Sequence, residues 1–196
     1  MHTILTGTDV VKGGEGTLVF DVAKYLDNST DASSLTVNAR QSATLAITGK
    51  LDVKAGQVKI ADGAAVSGDC ALAVASGATV DLGGNAVSFT ALSGAGTVTN
   101  GTLSTTLEYG DGTVLPTLNG VDGTLTVDFG RTAENPLDMA AAKAGIVVAH
   151  YTGDAPVNLK VRAVNTGIAR ARATVACENG NVLAKMTQTG FYVIIR

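Results

Sequence analysis

The sequence predicts an all-β protein: a right-handed parallel β-helix, or solenoid, with a β-rich capping region at its C-terminal end. Short alternating apolar triplets recur along the chain, and each is followed by a turn rich in Gly or Asp. Leu45-Ala46-Ile47 returns 27 positions later as Leu72-Ala73-Val74, and Val58-Lys59-Ile60 returns 29 positions later as Val87-Ser88-Phe89. Self-similarity at such a period is typical of a stacked solenoid, in which no coil buries its apolar side alone.

The composition supports the same fold class. Gly accounts for 24 of the 196 residues, aromatic residues make up only 4%, and Trp is absent. Gly supplies turns with positive φ, and β-branched Val and Thr favour strands. A compact enzyme core normally relies on large aromatic side chains. A ladder of aliphatic side chains stacked from coil to coil does not need them.

Residues 1–107 are predicted to form the solenoid repeat region. Thr17 to Val22 reads as the first clear strand, and Leu35-Thr36-Val37 resumes the pattern after a polar loop. From Leu45 to Leu107, strands and Gly turns alternate, with three strands in each period of about 28 residues. Because parallel crossover connections are right-handed in almost all cases, a right-handed coil is expected.

Residues 108–196 are predicted to be a C-terminal β region that continues or caps the solenoid. Asn135 is expected to cap one short helical turn, with Pro136 at its first position and Gly145 after its end. The last strand is expected to close the stack, because an open solenoid end must be capped. The predicted strands are residues 125–129, 146–149, 159–163, 173–177, 182–186 and 191–195.

Three dipeptides after residue 99 are typical of β-hairpin turns. They are Asn100-Gly101, Asn119-Gly120 and Asp122-Gly123. Two-residue turns of this kind join antiparallel strands. The sequence therefore allows hairpins to be mixed into the later part of the solenoid.

One stretch of the chain resembles a known repeat. Residues 72–103 contain Val80-Asp81-Leu82-Gly83-Gly84-Asn85 and then Leu92-Ser93-Gly94-Ala95-Gly96-Thr97-Val98-Thr99-Asn100-Gly101. This sequence pattern resembles the autotransporter-associated β-strand repeat of bacterial secreted and surface proteins. Residues 136–147 are similar to a segment that often follows such repeats. The resemblance implies a fold and an extracellular or cell-surface location. It carries no catalytic residues.

The carboxylates do not indicate an enzyme. Asp52 and Asp81 are 29 positions apart in equivalent triplets, so they are expected to stack on adjacent coils as solvated side chains. Lys59 is expected to have no charged partner there, because Ser88 takes the equivalent position. A polysaccharide lyase or hydrolase would need clustered carboxylates with Arg or Lys on neighbouring coils. No catalytic residue is predicted.

Calcium sites are not expected either. Residues 13–20 are superficially similar to the calcium-binding nonapeptide of β-rolls, but Leu18 stands where the metal-binding Asp belongs. Calcium requires oxygen ligands, which an apolar side chain lacks. Asp27, Asn28 and Asp31 share a loop without the spacing of an EF-hand, so a solvated loop is predicted.

The histidines and cysteines do not form a metal motif. His2 and His150 are the only histidines, and His150 is interpreted as a surface residue at a strand end. Cys70 and Cys177 are interpreted as small core residues, and a bridge between them is left open. The sequence predicts no metal and no cofactor.

Charge and hydropathy limit the partners. The net charge is −3, and the basic residues gather only weakly at Lys160, Arg162, Arg170 and Arg172, interpreted as a solvated strand face. Nucleic acid is therefore not expected as a partner. The longest apolar stretches, Ile146 to Ala149 and Tyr192 to Ile195, are strand-sized, so no membrane-spanning helix is predicted.

We therefore expect a structural or adhesive solenoid segment of an exported bacterial surface or secreted protein, and a C-terminal piece of a longer precursor. Its expected partners are a polysaccharide or a host or cell-surface ligand, and further copies through the solenoid ends. The alternative is a carbohydrate-binding or polysaccharide-processing β-helix module. Exposed aromatics would support sugar stacking, and the available tyrosines are Tyr25, Tyr109, Tyr151 and Tyr192.

Overall fold

The computed structural model describes residues 3–12, 17–20, 34–35, 44–60, 65–67 and 70–189, with side chains for residues 49–60 and 70–189. It is mostly strand (61%) with almost no helix, and the strands form a parallel β-solenoid of about four turns. The strands are β1 (Thr3–Lys12), β2 (Thr17–Phe20), β3 (Ser34–Leu35), β4 (Thr44–Val53), β5 (Gln57–Ile60), β6 (Ala65–Ser67), β7 (Ala71–Val74), β8 (Thr79–Asp81), β9 (Ala86–Ser88), β10 (Leu92–Ser93), β11 (Thr97–Glu108), β12 (Thr117–Arg131), β13 (Ile146–Tyr151), β14 (Leu159–Thr166), β15 (Ala171–Glu178) and β16 (Asn181–Gln188).

One column of apolar side chains shows how the coils stack. Val58 of β5 pairs in parallel with Val80 of β8. Val80 in turn pairs with Val98 of β11, which pairs with Leu118 of β12. All four side chains are fully buried. Each contributes about 1.5–3 kcal/mol relative to an exposed side chain, and only the neighbouring coils provide that burial. The predicted parallel solenoid is confirmed.

The predicted repeat length is wrong. Leu51 pairs with Leu72, 21 positions later, and not with Val80. Val80 pairs with Val98, only 18 positions later. The corners between strands absorb different numbers of residues, so the coils have no fixed length. Any small apolar triplet fits the inward side of a coil. Similarity between triplets therefore predicted pairing between strands that are not neighbours in the structure.

The strands form two sheets among the described residues. A five-stranded sheet has the order β1-β4-β7-β10, with β6 on β4. An eleven-stranded sheet has the order β15-β16-β13-β12-β11-β8-β5-β2-β3, with β14 on β12 and β9 on β11. The larger sheet runs without a break across residues 107 and 108, where Leu107 pairs with Val127. The division into residues 1–107 and 108–196 stays a prediction.

The hairpin signals before residue 130 mark corners instead of hairpins. Asn100-Gly101 lies inside β11, and Asn119-Gly120 and Asp122-Gly123 lie inside β12, although β11 and β12 are parallel to each other. A two-residue hairpin in the described part of the chain is at Asn179-Gly180, where φ is 50° and 77° and Glu178 pairs with Asn181. An Asn-Gly turn with two positive φ angles matches the twist of antiparallel strands.

The predicted β-rich cap is confirmed at the C-terminal end of the stack. Strand β13 still pairs in parallel with β12, but β16 pairs with β13 in the antiparallel direction, and β15 with β16 likewise. Ala173, Val175 and Cys177 of β15 are half-buried against the core. The reversal of direction ends the parallel stacking. The predicted strand at Phe191 to Ile195 lies outside the described residues.

The one helix among the described residues, α1 (Met139–Ala144), begins later than predicted. Asp138 is its N-cap, and the Oδ1 atom of Asp138 accepts a hydrogen bond from the Ala140 N–H at 2.9 Å. Asn135 instead belongs to a preceding turn, in which it bridges Thr132. A carboxylate that reaches a free N–H defines the true start of the helix. The predicted end at Gly145, where φ is 116°, is confirmed.

The Gly-Ala-Gly corner of the repeat is as tight as its sequence predicts. Gly94 has φ of +96°, and a Cβ atom there would collide with the Val74 carbonyl oxygen. Gly96 has an ordinary φ, but a Cβ atom on it would lie 2.5 Å from the Ala75 carbonyl oxygen. The neighbouring coil therefore leaves no room for a Cβ atom at Gly94 or Gly96.

We expect Gly96→Ala to lower the free energy of unfolding by about 1–3 kcal/mol, because the methyl group overpacks a contact with backbone. Gly110→Ala is the matched control, since Gly110 also has an ordinary φ and its nearest neighbour would be the Thr113 hydroxyl at 4.0 Å. Urea denaturation of both variants measures the difference. Equal losses would contradict a steric origin.

Candidate functional site

The most buried charge in the described side chains is Asp81, at the end of β8. Its Oδ1 atom accepts hydrogen bonds from the Gly83 N–H at 2.8 Å and from the Asn100 side-chain amide at 3.0 Å. Its Oδ2 atom lies 3.7 Å from the Lys59 ammonium. Asp81 is only 9% exposed. Lys59, Asp81 and Asn100 belong to three successive coils, so one carboxylate joins all three.

Two predictions about these charges are wrong. Asp52 does not stack on Asp81: it pairs with Ala73 and lies 3.9 Å from the Lys50 ammonium. Lys59 does have a charged partner, because Asp81 is its direct neighbour in the next coil. Ser88 pairs with Ser104 instead. Both errors follow from the wrong repeat length, which assigned Asp81 to the wrong neighbour.

The same arrangement occurs a second time. Asp128 of β12 accepts a hydrogen bond from the Gly130 N–H at 2.9 Å. Both of its oxygens accept from the Asn165 side-chain amide, at 2.9 and 2.8 Å. Asp128 pairs with Val164, the residue just before Asn165, as Asp81 pairs with the residue just before Asn100. We call each set of Asp, Gly and next-coil Asn an inter-coil clasp.

The backbone explains why these residue types recur. Asn100 and Asn165 have φ of 59° and 47°, and Gly83 and Gly130 have φ of 62° and 56°. Asn and Gly enter this left-handed region more readily than other residues. The left-handed corner turns the Asn amide back toward the coil before it. The sequence signal is Asp, one apolar residue and Gly, with an Asn 19 or 37 positions after the Asp.

A third carboxylate also bonds to the next coil. Asp122 accepts from the Asn158 N–H and from its side-chain amide, both at 3.1 Å. Hydrogen bonds to a charged group are the stronger ones in a protein. These three carboxylates therefore join neighbouring coils through hydrogen bonds, and the clasps are a structural site.

The histidines and the residues of the candidate calcium loops lie partly within the described residues. His150 is an exposed residue near the end of β13, with Nδ1 2.9 Å from the Asn181 side-chain oxygen. His2, Asp27, Asn28 and Asp31 lie outside the described residues, and of Leu18 only the backbone is described. Within residues 49–60 and 70–189, no group of three His, Cys, Asp or Glu side chains is placed to hold a metal.

The two cysteines are not bridged. Cys70 is fully buried, as predicted, and Cys177 is half-buried on β15. The Cys177 sulfur lies 4.0 Å from the Pro156 carbonyl oxygen. Burial raises the pKa of the Cys177 thiol above its ordinary value.

An outward surface of the solenoid brings together residues that the sequence did not connect. On the face formed by β9, β11 and β12, outward hydroxyl side chains alternate with buried inward side chains. Lys160 and Arg162 are exposed on β14 beside them. Arg170 and Arg172 do not belong to this strand, because Arg170 lies in the turn before β15 and Arg172 on β15. The predicted basic group is thus divided.

No family model, curated protein or solved structure matches the chain. In the part of the chain that the structure describes, no helix is long and apolar enough to cross a membrane. The fold and the clasps together define a class, a parallel β-solenoid whose corners are joined by buried or half-buried carboxylates. Its role is inferred from these features.

We expect Asp81→Ala to lower the free energy of unfolding by about 2–3 kcal/mol, because it removes two charge-assisted hydrogen bonds from a buried corner. Asp52→Ala is the matched control: its ion pair with Lys50 is at the surface, where such pairs contribute about 0–1 kcal/mol. A double-mutant cycle of Asp81→Ala with Asn100→Ala should show coupling. Equal losses at positions 52 and 81 would contradict the clasp.

The Cys177 thiol should react with a disulfide reagent more slowly than a small free thiol at pH 8, since its raised pKa leaves less thiolate. The rate should increase with pH to a midpoint above that of the small thiol. Cys70 should react only in denaturant. Colorimetric thiol titration measures both, and Cys177→Ser should remove the native reaction. A native reaction that survives in Cys177→Ser would show that Cys70 is accessible.

Proposed function

We propose that the chain is a structural or adhesive β-solenoid segment of an exported bacterial surface or secreted protein. The observation that carries this proposal is the use of Asp81 and Asp128. These carboxylates are bound by Gly and Asn donors of the stack itself. Polar chemistry directed at the joints between coils suits a protein whose task is to hold a shape.

The resemblance to autotransporter-associated repeats supports the same role. The residues of the repeat motif include Gly83 and Gly84, both at positive φ, and the corner at Gly94. A repeat whose characteristic residues lie at the corners between strands specifies a stacked structure and supplies no catalytic residues. The resemblance also supports export as part of a longer precursor.

We propose further that the segment is not an enzyme. In the described part of the chain, Glu108 and Asp128 are outward neighbours on adjacent coils, and glycosidases use such a pair of carboxylates. Both Asp128 oxygens, however, accept hydrogen bonds from the Asn165 amide. A carboxylate held in this way is poorly placed to attack a sugar or to activate water.

Antibodies against the purified chain test the location. They should label intact cells of the bacterium that encodes it, or its culture medium, and protease added outside should remove the cell label. A cytoplasmic enzyme serves as the control and should stay protected. Label that appears only after lysis would overturn the proposal. New reducing ends released from a polysaccharide, and lost in Asp128→Asn, would overturn the non-enzymatic role.

A further inference from the structure

Two columns of outward side chains cross three neighbouring coils, and each ends at a cation. Ser104 pairs with Thr124, which pairs with Lys160. Residues two apart on one strand are about 6.6 Å apart, and adjacent strands are about 4.8 Å apart. The columns therefore form a flat grid, which we call the hydroxyl–cation grid. Its members are Ser104, Thr124 and Lys160 in one column, and Thr106, Thr126 and Arg162 in the other.

The polar groups of the grid are free. Within the described residues, none of its six side chains has a hydrogen-bond or ion-pair partner. Other threonines differ: the Thr99 hydroxyl donates to the Asn119 carbonyl oxygen at 2.9 Å, and the Thr174 hydroxyl donates to the Lys185 carbonyl oxygen at 3.2 Å. Four adjacent hydroxyls and two cations thus remain available to a ligand on one face.

Carboxylates within β12 flank the grid on both sides, and Glu108 of β11 lies beside one of them, Asp128. Asp122 lies two residues before Thr124, and Asp128 lies two residues after Thr126. Both are anchored to the next coil by Asn158 and Asn165. A densely charged polyanion laid along the strands would meet these negative charges. A polysaccharide with one carboxylate on each sugar is less densely charged than duplex DNA, and it can place carboxylates on the cations and hydroxyls beside the acids.

The chemistry of the grid selects a class of occupant. Its six side chains include no aromatic ring, which single-stranded nucleic acid needs for stacking. Two cations are too few to hold a phosphate backbone. Hydroxyl groups both donate and accept hydrogen bonds, as sugar hydroxyls do. A polymer rich in hydroxyls that carries one carboxylate on each sugar offers a partner to both the hydroxyls and the cations of the grid.

We propose that the hydroxyl–cation grid binds a linear polysaccharide that carries uronate carboxylates. Arg162 holds a carboxylate through its planar fork of donors, and Lys160 attracts a second one as a point charge. Thr124 and Thr126 hydrogen-bond to the sugar hydroxyls between. The inference rests on the proposed adhesive role, because it names the partner to which the segment adheres.

The test compares alginate, a polymer of uronates, with its propylene glycol ester, which lacks most of the charge. Binding to the purified chain is measured by thermophoresis at low and physiological salt. Lys160→Gln/Arg162→Gln should weaken alginate binding about tenfold or more, as expected when charge-assisted hydrogen bonds are lost. The matched control is Lys54→Gln/Lys143→Gln, since both lysines are exposed and remote in sequence from the grid. It should bind like the natural chain.

Several outcomes would overturn the proposal that the grid binds a uronate polysaccharide. These are no binding to alginate, equal binding to alginate and its ester, equal losses in the two double variants, and tighter binding to heparin or duplex DNA. Unchanged melting temperatures confirm that the variants fold. A result that refutes the grid proposal can be distinguished from a result that refutes the proposed function. A surface-exposed chain that ignores alginate refutes the grid alone, whereas an intracellular chain refutes the exported role whatever it binds.

Discussion

The inward side of each coil is covered only by the coils next to it, and this constraint governs the rest of the molecule. Val80 is fully buried because Val58 lies on one side of it and Val98 on the other. A core built mainly from aliphatic columns needs few large side chains, which agrees with the small aromatic content. It also requires an end, and the antiparallel pairing of β16 on β13 provides one.

Register along such a column is weakly specified by apolar residues alone, because one Val fits as well as another. Polar contacts at the corners supply the missing specificity. Asp81 reaches Asn100 only when Val80 lies against Val98, and a slip of one residue would turn every inward side chain outward. Buried polar networks are costly when they are incompletely satisfied, so the clasp penalises the wrong register.

The sequence was sufficient for the fold class, for nearly all later strands and for the tight corner at Gly94. It was insufficient for the neighbours of each strand, since coil length depends on how many residues a corner holds. Asn179-Gly180 carried a strong hairpin signal, yet similar dipeptides inside β11 and β12 obscured it. The grid was hidden for the same reason: Thr124 and Lys160 become neighbours only once the register is known.

The segment that contains α1 shows how little the stack depends on its connections. Leu125 follows its partner Thr105 by 20 positions, but Val161 follows Leu125 by 36, and the pairing on β14 continues in register. The additional residues include α1, whose Ala142 is buried in the core, and β13, which pairs with β12, yet β14 keeps its parallel pairing with β12 from Gly123 to Asp128. The pairing between coils therefore accommodates connections of different length between successive rungs.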